Sequence, residues 1–503
     1  MVNKTSTPEL YRQYKSSLQK IADIKYAAAV LQWDQETYMP VKSAATRAQQ
    51  IASLAEMAHL LFTDEKNGQL LEELDGRNDL SREEKKNIEL SLYDYNKAKK
   101  LPVAFVRHLS ETVSQSYQSW LEARMVNSFN VFEKDLDTLI QLKRQEADYL
   151  GYEEHSYNAL LNEYERGSSV SLLDKVFNSL QQPLRDLLEK ISNQPQVNDD
   201  FLRQHFNKNQ QWNFGMELIR KLGFDFNAGR QDISEHPFTT NFSSNDVRIT
   251  TRIDEQNLGN MTWSCIHETG HGLYEQGLPE EEYGLPAGEF ASLSIHESQS
   301  RLWENNVGRS ESFWRYHAAS LYKWFPQQFE NIKTREFYKG INKVQPTLIR
   351  TEADELTYHF HVMIRYEIEK LLMEGSLKTK DIPGHWNDQY YKYLGVKVPD
   401  DKQGCLQDVH WSHGSLGYFP TYSLGSLYAA QFFNAAKKQI PLLEQDMSKG
   451  STDLLLEWLR TNLHRHGRLF TGDELCENIT GEVLNINYFL EYAAEKYSDI
   501  YNF

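Results

Sequence analysis

Helix breakers are scarce in this chain, and that limits its fold more than any other feature. Of 503 residues, 14 are proline and 26 glycine, about 3% and 5% against usual frequencies of about 5% and 7%. Pro8, Pro40, Pro102, Pro183 and Pro195 are the only prolines in the first 200 residues. Long helices are the expected outcome. Thr7-Pro8 reads as an N-cap followed by proline at the first helical position. Leu10, Tyr14, Leu18 and Ile21 then recur at helical spacing, as do Ile51, Leu54, Ala55 and Ala58. Similar periodicity predicts helices over 84–99, 131–149, 170–192, 312–333, 352–373 and 453–464, with the polar stretch 193–211 as a loop. Between Pro237 and Ile253 the period changes to two. Val247, Ile249, Thr251 and Ile253 fall on one side, with Asp246, Arg248, Thr250 and Arg252 on the other, as a strand requires. The expected architecture is mostly α with a small β-sheet, and residues 1–503 read as one domain of two lobes.

Composition narrows the function. A formal net charge of −17 gives no general attraction for phosphate backbones or anionic lipid, which argues against nucleic-acid and membrane-surface roles. Cys265, Cys405 and Cys476 are too far apart for a CxxC pair and too few for a disulfide framework, which favours a reducing compartment. The N-terminal segment shows no apolar core of a signal peptide, and no run of about 18 apolar residues occurs. A cytoplasmic protein is expected.

The chemistry enters just after the strand. Residues 267–271 read His-Glu-Thr-Gly-His. Positions i and i+4 of a helix lie one above the other, so His267 and His271 can present two imidazoles to one metal ion. Glu268 projects beside them, where it can exchange a proton with water activated by the ion. Cys265, Ile266, Leu273 and Tyr274 supply the apolar face of that helix, and Gly277 can end it. The third ligand is not a histidine at glycine spacing, because Leu278 stands there. Glu289, Glu297 and Glu304 are the candidates on the following segment. Glu297 lies in the polar cluster His296-Glu297-Ser298-Gln299, flanked by Leu293, Ile295, Leu302 and Trp303. The competing reading pairs Glu297 with Arg301 at i+4, worth only tenths of a kcal/mol.

Five segments together resemble the carboxypeptidase Taq family of zinc metallocarboxypeptidases. Asp246–Thr250 is similar to its DxRxT motif, His267–His271 to HExxH, His296–Gln299 to HESQ, Ile349–Asp354 to IRxxAD and Gly404–Trp411 to GxxQDxHW. LQWDQETYMP (31–40) and TGEVLNINYFLEY (480–492) also look like family sequence. The resemblance covers nearly the whole chain. It implies a helical peptidase fold with a long central groove and a short sheet at the active site. It also implies a cytoplasmic homodimer that removes single residues from peptides with a free C-terminus, with broad tolerance. Carried over, His267, His271 and Glu297 become the metal ligands and Glu268 the general base, with Zn2+ as the ion and Co2+ as a substitute.

The other motifs admit chemical roles. Arginine holds a carboxylate through paired N–H donors, so Arg350 and Arg248 are candidates for the substrate's C-terminus. The local alternatives are an i,i+4 pair of Arg350 with Asp354 and a sheet-face ion pair for Arg248. His410 and Tyr422 can donate to the developing oxyanion, and the bland alternative is that His410 and Trp411 only pack. Asp408 or Asp354 could orient a ligand histidine. His464 and His466 read as surface residues of a basic turn.

A metal-dependent oligopeptidase or dipeptidyl carboxypeptidase is the nearest competing function, because HExxH does not separate them. A helical binding protein with a purely structural ion fits less well, since such sites fill four positions with Cys or His.

Overall fold

The computed structural model describes residues 5–503 and is mostly helical with one three-stranded sheet. The first helix, Thr7–Thr37, starts one residue earlier than its sequence signal: Ser6 is the N-cap and Thr7 opens the helix ahead of Pro8. Predicted helices appear at Arg82–Lys100, Asn130–Leu150, Val170–Ser192 and Asp453–Asn462. Two predictions overran. The helix expected to reach 333 stops at Trp324, because Pro326 disfavours helical backbone at Phe325. The one expected from 352 begins at Tyr358, after a short 3-10 turn at Arg350–Glu352.

The sheet holds strands β1 (Gly229–Ile233), β2 (Thr239–Ser243) and β3 (Asp246–Thr251), in the order β1-β3-β2. β3 pairs parallel with β1 and antiparallel with β2. Val247, Ile249 and Thr251 are buried, as the alternation requires. Thr250, on the opposite side, is also buried, because it bonds Ser234 and the backbone of Phe238.

Most buried apolar side chains form one core, which includes Cys265, Ile266, Ile295 and Leu302. A smaller cluster of Leu10, Tyr14, Leu18, Ile21 and neighbours in the first hundred residues, plus Leu285, packs separately. Polar contacts join it to the rest, among them Asn87 to Glu282 (2.8 Å) and Arg468 to Asp94 (2.6 and 2.8 Å). No helix among the described residues is long and apolar enough to cross a membrane. All three cysteines are free and buried.

Candidate active site

Two helices in close backbone contact build the centre. The first, Leu258–Glu275, is opened by the Asn257 side chain, which accepts from the Gly259 N–H, and it carries the HETGH motif. The second, Leu293–Arg301, is capped by Ser292 and carries HESQ. Glycine in a helix interior costs about 1 kcal/mol relative to alanine. Here it permits contact: a Cβ on Gly270 would lie 2.7 Å from the carbonyl oxygen of Gln299 and from Cα of Ser300. On its other side the HESQ helix meets the helix Phe419–Gln439, where a Cβ on Gly425 would lie 2.6 Å from Cβ and Cγ of Glu297. The Glu297 stem is thus held between two helices.

His267, His271 and Glu297 converge, with one ligand atom from each lying within 4.8 Å of the others. Oε2 of Glu297 is 3.8 Å from Nε2 of His267 and 3.6 Å from Nε2 of His271. Donors about 2.1 Å from a tetrahedral ion stand about 3.4 Å apart, so this triangle suits a small divalent cation. Burial holds His271 well below the usual histidine range, which keeps it the neutral donor a metal needs. Burial acts the same way on His267, but Glu297 and Glu304 outweigh it and raise its pKa.

Glu297 satisfies both readings of the sequence. Its Oε2 faces the histidines, and Oε1 accepts from Nε of Arg301 at 2.7 Å. Glu304 is not part of the triangle: its Oε2 lies 2.9 Å from Nδ1 of His267, orienting that ring. Arg301 and Arg309 each donate to Glu304 at 3.2 Å. Burial would raise the Glu304 pKa, but Arg301, His267 and Arg309 hold it well below the carboxylate range. A π-helical stretch, Leu302–Gly308, carries Glu304 there, a kind of turn that often marks functional sites. Glu289 lies elsewhere, 3.3 Å from Arg468.

Glu268 is buried beside the triangle, and burial raises its pKa. Its Oε2 accepts from the hydroxyl of Thr239 on β2 at 2.6 Å.

The remaining motif residues form an adjoining cluster. Arg350 is 6% exposed. Its Nε and Nη2 donate to Oδ1 of Asp408 at 3.0 and 2.8 Å, and Nη1 donates to Tyr358 at 2.9 Å. Asp354 does not pair with it. That carboxylate instead accepts from the backbone N–H groups of Gln345, Leu356 and Thr357, anchoring the turn before the next helix. Asp408 orients no histidine; it also binds Arg365, with Nε at 2.7 Å from Oδ2. Nε2 of His410 is 3.1 Å from the Tyr422 hydroxyl, and the Arg350 guanidinium lies 4.8 Å from the centre of the Tyr422 ring. Burial, and then the Arg350 charge, push His410 down to about 3, so it is neutral. Tyr358 bridges the two clusters, its ring 4.5 Å from the Arg301 guanidinium.

Arg248 pairs with Asp246 at 3.0 Å through both Nε and Nη2, and stacks against Trp33 and Phe242. This is the sheet-face ion pair that the sequence left open. His464 is not on the surface: it is fully buried, with Nε2 3.0 Å from Oε1 of Gln299 in the HESQ motif.

Paired histidines flanking a glutamate on one helix, with a carboxylate from the next, define a metallopeptidase of the HExxH class. Residues 13–497 match the Carboxypeptidase Taq (M32) metallopeptidase family. Carboxypeptidase 1 of Bacillus subtilis is 35% identical over 494 residues, covering 97% of this chain and 98% of that protein. Thermostable carboxypeptidase 1 of Pyrococcus furiosus is 36% identical, covering 97% and 98%. The crystal structure of an M32 carboxypeptidase from Deinococcus radiodurans superposes with a TM-score of 0.96 at 38% identity, over 98% of this chain and 100% of that one. The chain belongs to the M32 family of metallocarboxypeptidases.

Proposed function

We propose that this carboxypeptidase holds Zn2+, replaceable by Co2+, on His267, His271 and Glu297, and uses Glu268 as the general base. The observation that carries the reading is the approach of one Glu297 oxygen to both imidazole Nε2 atoms. When bound, the ion supplies a Lewis acid and lowers the pKa of water. Glu268 takes a proton from the attacking water and returns it to the leaving amine, a transfer favoured by the raised pKa of its buried carboxylate. His410 donates to the Tyr422 hydroxyl, which in turn donates to the oxyanion, and Arg350 anchors the substrate's C-terminal carboxylate through the donors that Asp408 and Tyr358 leave free. Arg248, committed to Asp246, supports the sheet and serves as the second candidate for that anchor.

In this reading residues 1–503 form one catalytic domain of two lobes, and peptides of broad sequence are the substrates. Three buried free thiols support a cytoplasmic setting. A homodimer belongs to the same reading and rests on the family resemblance alone.

The decisive experiment incubates zinc-loaded protein with a peptide and with its C-terminal amide, and reads products by mass spectrometry with and without chelator. Stepwise loss of single residues from the free acid alone, abolished by chelator, is the expected result. Equal cleavage of the amide removes the role of Arg350, and release of dipeptides assigns the chain to the dipeptidyl class. Glu304→Gln is expected to weaken zinc affinity by about 10- to 100-fold, measured by chelator competition, because His267 loses its charged partner.

A further inference from the structure

Strand β2 lies at the edge of the sheet and packs against the HETGH helix. Residues two apart on a strand share a face, and residues seven apart on a helix do so as well. Thr239 and Asn241 make the first pair, Glu268 and Glu275 the second. The Thr239 hydroxyl donates to Oε2 of Glu268 at 2.6 Å, and Nδ2 of Asn241 donates to Oε2 of Glu275 at 2.6 Å. The contact extends to the histidines. Oε1 of Glu275 lies 2.8 Å from Nε2 of His296, and the His296 ring stacks on His271 with centroids 4.2 Å apart and planes inclined by 18°. Glu275 is 3% exposed, so both of its oxygens spend their bonds inside the protein. The ring of His271 is thus restrained from the HESQ helix, by this stack and by the backbone of His296. No hydrogen bond from the described residues reaches Oε1 of Glu268, so that oxygen is available to water.

We infer that β2 is the positioning strand of the active site. Thr239 fixes the carboxylate of Glu268 with one oxygen turned to the substrate side. Asn241, through Glu275 and His296, fixes the ring of His271. Neither strand residue touches the reacting atoms. The inference rests on the proposed roles of Glu268 and His271, and its two arms are read separately.

Thr239→Val keeps the shape of the side chain and removes the donor. It is expected to lower kcat by about 10- to 100-fold, the scale of a displaced catalytic group, with KM within about twofold and zinc per chain unchanged; Thr239→Ser restores kcat. A Thr239→Val enzyme with the parent's kcat overturns the first arm. Asn241→Ala is expected to weaken zinc retention by about tenfold in a chelator competition run without substrate. Retention equal to the parent's overturns the second arm. Glu275→Gln, which keeps the side-chain size, supplies the same reading if circular dichroism shows Asn241→Ala to be unfolded. A parent chain that retains no zinc and releases no C-terminal residue refutes the proposed function itself, whereas a zinc-bound, active parent with indifferent variants refutes only the role of β2.

Discussion

Glu268→Gln is expected to lower kcat by about 100- to 10,000-fold, the range for losing a general acid–base group, while zinc per chain stays at the parent value. The amide keeps the size of the side chain and can still accept from Thr239, so the strand contact and the triangle of His267, His271 and Glu297 survive. What is lost is a carboxylate that cycles a proton. The check is kcat together with metal analysis on the same preparation. A variant that keeps zinc and hydrolyses at the parent rate sinks the assignment, and one that loses zinc shows Glu268 to be part of the metal site.

Asp408→Asn is expected to be the most damaging substitution for stability outside the metal centre. Asp408 is the shared counter-ion of two buried arginines, Arg350 and Arg365. Breaking a buried pair by removing one partner costs about 3–5 kcal/mol, because a charge is left uncompensated. Burial would raise the Asp408 pKa, but Arg350 and Arg365 prevail and hold it well below the carboxylate range. The sign follows: a carboxyl whose pKa is depressed on folding adds stability above its unfolded pKa of about 3.9, lost as pH falls towards the folded value. Denaturant unfolding of parent and variant is expected to show a constant gap at neutral pH that narrows below about pH 4. A gap that narrows on raising the pH from 5 to 8 contradicts this account.

The sequence revealed the parts of this protein that depend on local spacing. The two histidines of the triangle were readable because they sit i,i+4 on one helix, whereas Glu289, Glu297 and Glu304 were all open as the third ligand and only the family resemblance pointed to Glu297. The long helices followed from the lack of proline. β1 was missed because GRQDI has no apolar alternation, and it is held as a strand by pairing with β3. The part played by Glu304 could not be counted out, since a π-helical stretch changes the register between it and Glu297. The Arg350–Asp408 pair spans 58 residues, and no local signal distinguishes it from the Asp354 alternative. Thr239 and Asn241 stood in plain sight within the alternating stretch, but their partners depend on how the strand docks on the helix.

The backbone contacts at Gly270 and Gly425 also bear on which metal the site will accept. Two of its donors stand on one helix and the third on another, and no side chain separates that pair at the crossing. Widening this triangle through the backbone would mean parting two helices that touch at Gly270 and Gln299. Calcium needs six to eight oxygens at about 2.3–2.6 Å, whereas this triangle offers two nitrogens and one carboxylate within 4.8 Å of one another. Discrimination against large, oxygen-seeking ions is therefore expected from the helix crossing as well as from the ligands. A redesign for a bigger cation would have to separate the two helices, not merely exchange a histidine.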